Sequence, residues 1–110
     1  MKQYVVDELR PADYQKLKQH LNANAAGTDL EGIYWIALDD QILTDVQTAH
    51  RECRPFYFAI ALEPNRLAGE FLIRTKNRIR CSCIGYADLS QKEWIMRFVD
   101  NLFERLKIKI

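Results

Sequence analysis

An alternating apolar stretch followed by a tight turn constrains the fold of this chain more than any other feature. Residues 56–62 place four large apolar side chains on one face, namely Phe56, Phe58, Ile60 and Leu62. This alternation predicts a strand with one buried face. The next four residues, 63–66, include Pro64 at the position where its fixed φ favours a turn. The chain is therefore expected to fold back as an antiparallel hairpin.

The register of this hairpin follows from keeping one face apolar. Leu62 opposite Leu67 satisfies that condition, because a slip of one residue would turn every side chain to the other face. The same register pairs Phe58 with Phe71 and Phe56 with Ile73.

A third strand is predicted to follow a three-residue loop at 75–77. This loop places Ile79 opposite Ile73 and points Cys81 and Cys83 toward the core, whereas a two-residue loop would mix apolar and basic side chains on one face.

Two segments have the spacing of a helix-capping box, in which a hydroxyl and a later Glu or Gln satisfy the first free backbone groups. Thr44 with Gln47 predicts a short helix from Asp45 to about Glu52. Ser90 with Glu93 predicts the start of a long helix with a broad apolar stripe. Pro11 predicts the first turn of an N-terminal helix, where a missing N–H costs nothing.

Together these elements predict a single α+β domain over residues 1–110. We expect an antiparallel sheet of four or five strands, with the N-terminal and C-terminal helices packed on one face and the opposite face uncovered. Residues 34–38 would form a strand at an edge or one joined through another strand, and whether 41–43 form a strand is left open. The order of elements resembles that of small profilin-like and roadblock-like dimerisation modules, a likeness of fold that assigns no function.

The net charge and the length of the apolar runs bear on whether the protein binds nucleic acid or a membrane. Sixteen basic and fifteen acidic residues give a net charge of +1, so no global field attracts nucleic acid or an anionic membrane. The longest apolar run falls far short of the roughly 20 residues that a membrane span needs, and the N-terminus lacks a secretory signal pattern. Three cysteines cannot all pair within one chain. These features predict a cytoplasmic protein with no membrane partner, and they disfavour a nucleic-acid partner, for which any site would have to be a local basic patch.

His50-x-x-Cys53 and Cys81-x-Cys83 form the most suggestive chemical set. Residues three apart on a helix, or two apart on a strand, share a face, so the two pairs could supply three sulfurs and one nitrogen to a tetrahedral zinc ion. The favoured alternative is structural, since the predicted strand turns Cys81 and Cys83 into the core, where cysteine behaves as a small hydrophobe. The favoured prediction is therefore that the protein has no cofactor and no catalytic residue. The alternative prediction is a zinc ion bound by these four residues.

A basic set surrounds the predicted hairpin tip. Arg74, Arg78 and Arg80 would lie on the face opposite the core, and Tyr86 would lie among them. Such a mixture occurs on single-strand nucleic-acid platforms and on protein interfaces, and it also occurs as ordinary solvated surface. Because the net charge is near zero, the protein interface is favoured over nucleic acid.

The function predicted from the sequence is that of a small non-enzymatic interaction domain. It would self-associate as a homodimer or other homo-oligomer, or bind a protein partner, through the uncovered sheet face that carries these four residues or through an edge strand. The alternative is a cysteine-dependent metal-binding or redox protein.

Overall fold

The structure is a computed structural model that describes residues 2–27, 30–76 and 80–109. In that part of the chain an open antiparallel sheet of seven strands accompanies three α-helices, which confirms the α+β class. The strands are β1 (Gln3–Val6), β2 (Ala26–Gly27), β3 (Ile33–Ala37), β4 (Phe56–Glu63), β5 (Arg66–Glu70), β6 (Leu72–Thr75) and β7 (Gly85–Tyr86), and the helices are α1 (Pro11–Asn24), α2 (Asp45–Ala49) and α3 (Leu89–Arg105).

The predicted count of four or five strands is wrong. The strands run in the order β1-β5-β4-β3-β2, while β6 pairs with β4 and β7 pairs with β6. β2 and β7 have two residues each, which is too short for alternation to be visible in the sequence. β3 was expected at an edge or joined through another strand, and it lies between β4 and β2.

The β4–β5 hairpin starts in the predicted register and then departs from it. Leu62 pairs with Leu67, as predicted. Farther from the turn, Phe56 pairs with Thr75 rather than with Ile73, so that part of the predicted register is wrong. The displacement is two residues, and an even displacement leaves the same side chains facing the core.

Phe71 is where the register changes. Its backbone N–H donates to the carbonyl of Lys2 over 2.9 Å, and its carbonyl accepts from the N–H of Ala87 over 2.7 Å. Both backbone groups are thus satisfied by segments distant in the sequence, and the ladder with β4 resumes only in β6.

The predicted third strand is also wrong for the residues that can be compared. β6 pairs with β7, so that Ile73 lies opposite Gly85. Cys81 begins a turn closed by a 3.0 Å hydrogen bond from the N–H of Ile84 to its carbonyl. Ile79 lies outside the described residues.

The helix starts give one confirmed and one wrong prediction. Thr44 and Gln47 form the predicted capping box of α2. α3 is capped by Asp88, with Gln91 completing the box, and Ser90 lies inside the first turn, where its hydroxyl donates to the Asp88 carboxylate over 3.2 Å. Two overlapping boxes are present in this sequence, and the earlier one forms because its Gln91 also has a buried partner, described below.

Two short 3₁₀ turns flank α2. Residues 41–43, whose sequence pattern does not decide for or against a strand, belong in part to the turn Asp40–Ile42 and not to a strand. α2 ends at Ala49, and a second 3₁₀ turn covers Arg51–Cys53, so the predicted helix from Asp45 to about Glu52 is divided in two.

Helix contacts lie on the buried side of the central strands. A Cβ added to Gly69 would lie 3.2 Å from Cγ2 of Val99 on α3, which shows how closely α3 approaches β5. Tyr34 of β3 donates its hydroxyl to Asn22 of α1 over 2.6 Å. The ring of Phe58 meets the rings of Trp94 and Phe98 edge to face. Among the described residues, no helix has both the length and the apolar character needed to cross a membrane.

Candidate metal centre

Four side chains from two distant segments meet beside the end of α2. The ligand atoms of His50, Cys53, Cys81 and Cys83 all lie within 4.8 Å of one another. We call this group the four-ligand cluster. It contains every residue of the metal set that the sequence suggested. All three cysteines are free thiols.

The 3₁₀ turn after α2 positions the first pair. The chain leaves the α-helix at His50, and the N–H of Cys53 donates to the His50 carbonyl over 3.1 Å. Residues three apart in a 3₁₀ turn lie nearly above one another, so the imidazole and the thiol project to the same side. Cys53 is fully buried and His50 is half-buried.

The turn before β7 positions the second pair. Cys81 is the first residue of this turn and Cys83 the third, and the chain between them does not extend as a strand. A hydrogen bond from the backbone N–H of Cys83, with weaker support from the other members of the cluster, lowers the pKa of the Cys81 thiol to about 6. An N–H that donates to a sulfur in this way favours the thiolate.

The pKa of the Cys83 thiol is shifted in the opposite direction from that of Cys81. It is 3% exposed, and burial raises the pKa of its thiol to about 12, with contributions from the neighbouring sulfurs. A divalent cation at the centre would reverse this preference, because a coordinated thiol is held as the thiolate.

The spacing of the cluster suits a tetrahedral metal ion. A Zn–S bond of about 2.3 Å implies sulfurs about 3.8 Å apart at two corners of a tetrahedron. The sulfurs of Cys53 and Cys81 are 3.9 Å apart. Nδ1 of His50 is 3.1 Å from the sulfur of Cys81, so only a small outward movement separates this pair from metal-bound spacing.

Buried side chains hold the backbone on both sides of the cluster. The hydroxyl of Thr75 donates to the carbonyl of Cys53. The side-chain amide of Gln47 donates to the carbonyl of Cys83 over 3.2 Å. Thr75 and Gln47 are 5% and 4% exposed, so both hydrogen bonds are shielded from water. Supporting contacts of this kind orient metal ligands.

Gln47 links the cluster to the start of α3. Its side-chain oxygen accepts from the backbone N–H of Thr44 over 3.1 Å and from the side-chain amide of Gln91 over 2.9 Å. Each of the two glutamines caps its own helix, and both are buried. The sequence identified Gln47 only as a capping residue, because nothing in its local pattern reveals a partner far along the chain.

The basic set is only partly assembled in the described residues. Arg74 lies on β6, and Tyr86 lies on β7 with 56% of its surface exposed. Arg80 is exposed in the irregular segment before Cys81 and belongs to no strand. Arg78 lies outside the described residues.

Comparison with protein-family models, with curated proteins and with solved structures found no match to this chain, so its candidate function depends on the geometry of its own residues.

Proposed function

We propose that this protein is a zinc-binding domain in which the metal has a structural role. The observation that supports it is the convergence of three thiols and one imidazole, from two segments, to within 4.8 Å. Thiolate and imidazole together are ligands that zinc prefers, and the tetrahedral spacing agrees with that choice. The ion would join the end of α2 to the turn before β7.

A structural role is favoured because the protein supplies all four ligands. Catalytic zinc sites keep one position for water or substrate, whereas four protein ligands complete the tetrahedron. The proposal is therefore non-enzymatic and is consistent with an interaction domain, whose scaffold the metal would stabilise. Reduced thiols also suit a reducing compartment, which supports a cytoplasmic location.

We further infer that α1 and α3 form one layer on a single face of the sheet. Tyr34, which bonds to α1, lies opposite Ile60 on β4, and Gly69, which lies against α3, is opposite the same residue. Paired residues of an antiparallel sheet share a face. Both helix contacts therefore belong to one side.

Cobalt binding is the direct test. Reduced, metal-free protein titrated with Co²⁺ should take up one ion per chain and develop the intense visible and sulfur-to-metal absorption bands of a tetrahedral thiolate site, and Zn²⁺ should displace it. Zinc should also raise the unfolding temperature, because a ligand that binds only the folded state stabilises it.

His50→Ala and His20→Ala provide a matched pair. The chain has two histidines, and His20 lies on α1, outside the cluster. We expect His50→Ala to weaken cobalt binding and change its spectrum, while His20→Ala behaves like the wild type. Equal binding by both variants, or no stoichiometric metal in the wild type, would overturn the proposal.

A redox role for the same cysteines predicts a different result. It requires an intramolecular disulfide that forms under mild oxidation, whereas a zinc site requires thiols that zinc protects from alkylation. Rapid formation of a Cys53–Cys81 disulfide in protein that binds no Co²⁺ would replace the zinc proposal with the redox one.

A further inference from the structure

The sheet has a second face, away from both helix contacts. On this face Tyr57 lies opposite Arg74, Ala59 opposite Trp35, and Ala61 opposite Ala68 and Ile33. Glu70, at the end of β5, belongs to the same alternating set as Ala68. We call these eight residues the open face.

A groove of about 590 Å³ lies over part of the open face. Ala59 is at its floor, and the larger side chains of Ile33, Trp35, Glu70 and Arg74 line it together with Leu30. Leu30 is 69% exposed. Aromatic and arginine side chains around a small apolar floor are the composition that protein interfaces favour.

The groove contains one acidic and one basic side chain that do not pair with each other. The ion pairs among the described residues are Lys18 with Glu31 and Arg66 with Glu63. Within the same part of the chain, the Nε of Arg74 is buried and has no hydrogen-bond partner. Because that nitrogen is buried, an acceptor from another molecule can pair only with the other guanidinium nitrogens of Arg74, whose side chain is half-buried.

We propose that the open face binds a second copy of this chain about a twofold axis. A twofold interface brings the same patch of each copy together, so it must be complementary to itself. The open face carries both charges that such an interface needs, so that Glu70 of one copy would pair with Arg74 of the other while the apolar centre is buried between them. The proposal does not depend on the metal, since neither residue belongs to the four-ligand cluster.

Charge reversal tests this arrangement. We expect the wild type to sediment as a dimer of the 12.9 kDa chain, and Glu70→Arg and Arg74→Glu each to be monomeric, with dimer dissociation constants raised by about tenfold or more by like charges. An equimolar mixture of the two variants should restore the dimer. One chain then has arginine at both positions and the other has glutamate at both, so both intermolecular pairs are again opposite in charge.

Controls separate this result from misfolding and from the zinc proposal. Arg97→Glu makes the same charge change at an exposed position on α3 and should leave the dimer intact. Circular dichroism and Co²⁺ binding should be unchanged in all three variants. A loss of cobalt binding in His50→Ala with the dimer retained would leave this proposal standing.

Three results would overturn the proposal. One is a wild-type monomer at every concentration tested. Another is a mixture of Glu70→Arg and Arg74→Glu that remains monomeric. The third is a monomer that binds labelled single-stranded RNA or DNA through Arg74, which would assign the open face to nucleic acid instead.

Discussion

The sulfur of Cys81 lies 3.1 Å from Nδ1 of His50, although 31 positions separate the two residues in the sequence. The contact brings the turn before β7 against the 3₁₀ turn after α2, and those turns carry the other two members of the four-ligand cluster. The fold thus converts two short motifs, each with ordinary spacing, into one potential metal centre.

Alkylation of the metal-free protein should distinguish Cys81 from Cys83. With a pKa of about 6, the Cys81 thiol is mostly ionised at pH 7, whereas Cys83, with a pKa of about 12, stays protonated and buried. Because the thiolate is the nucleophile, iodoacetamide should modify Cys81 at least about tenfold faster than Cys83. The rate at Cys81 should fall as the pH decreases through 6, since acid protonates the thiolate.

Peptide mass spectrometry at a series of pH values would measure both rates. Zinc added before the reagent should protect Cys81. Equal rates at the two cysteines, or a rate at Cys81 that rises only above pH 8, would contradict the hydrogen-bonded arrangement of the turn.

Gln47→Leu should weaken both the fold and the metal site. The change removes the buried donor to the carbonyl of Cys83 and one of the two acceptors of the Gln91 side-chain amide, so the free energy of unfolding should fall by about 1 to 3 kcal/mol. Zinc affinity should fall by about tenfold or more, as for other contacts that support metal ligands. Urea unfolding and competition with a chromophoric chelator would measure the two effects.

Gln41→Leu is the control for this change, because the Gln41 side chain is exposed. We expect it to leave both quantities near the wild-type values. If Gln47→Leu changed stability but not zinc affinity, the glutamine would serve the helix starts alone.

Asp88→Ala should destabilise α3 more than Ser90→Ala. Asp88 accepts a 2.9 Å hydrogen bond from the N–H of Gln91 as the N-cap, and its loss should lower the free energy of unfolding by about 1 kcal/mol. Ser90 caps nothing and should matter much less. Urea denaturation of the two variants would decide between them, and a larger loss for Ser90→Ala would restore the helix start predicted from the sequence.

Gly32→Ala should be more destabilising than Gly27→Ala. Gly32 has a φ of +82°, and an added Cβ would lie 2.7 Å from the carbonyl oxygen of Leu62, so both strain and collision oppose alanine. We expect a loss of more than about 1 kcal/mol. A Cβ at Gly27 would meet nothing within 4 Å, so that variant should be close to neutral. Thermal unfolding would compare them, and equal midpoints would contradict the close approach to β4.

The sequence alone determined the features that depend on neighbouring residues. The alternation of Phe56 to Leu62, the pairing of Leu62 with Leu67 and the box of Thr44 with Gln47 were all predictable. Each arises from side-chain periodicity or hydrogen bonds that span a few positions.

Tertiary structure selected one conformation at the positions where local sequence rules permit several. Phe71 leaves the ladder with β4 because Lys2 and Ala87, which lie on either side of it in the sequence, bond to its backbone. Alternation predicts that Cys81 and Cys83 lie in a strand and face the core. Cys83 is in the core and Cys81 packs against it, as predicted, but both lie in a turn beside His50 and Cys53 and not in a strand. The residues of the metal set could be named from their chemistry and spacing. Their convergence could not, because long-range hydrogen bonds and packing bring the segments together, and no short-range pattern records them.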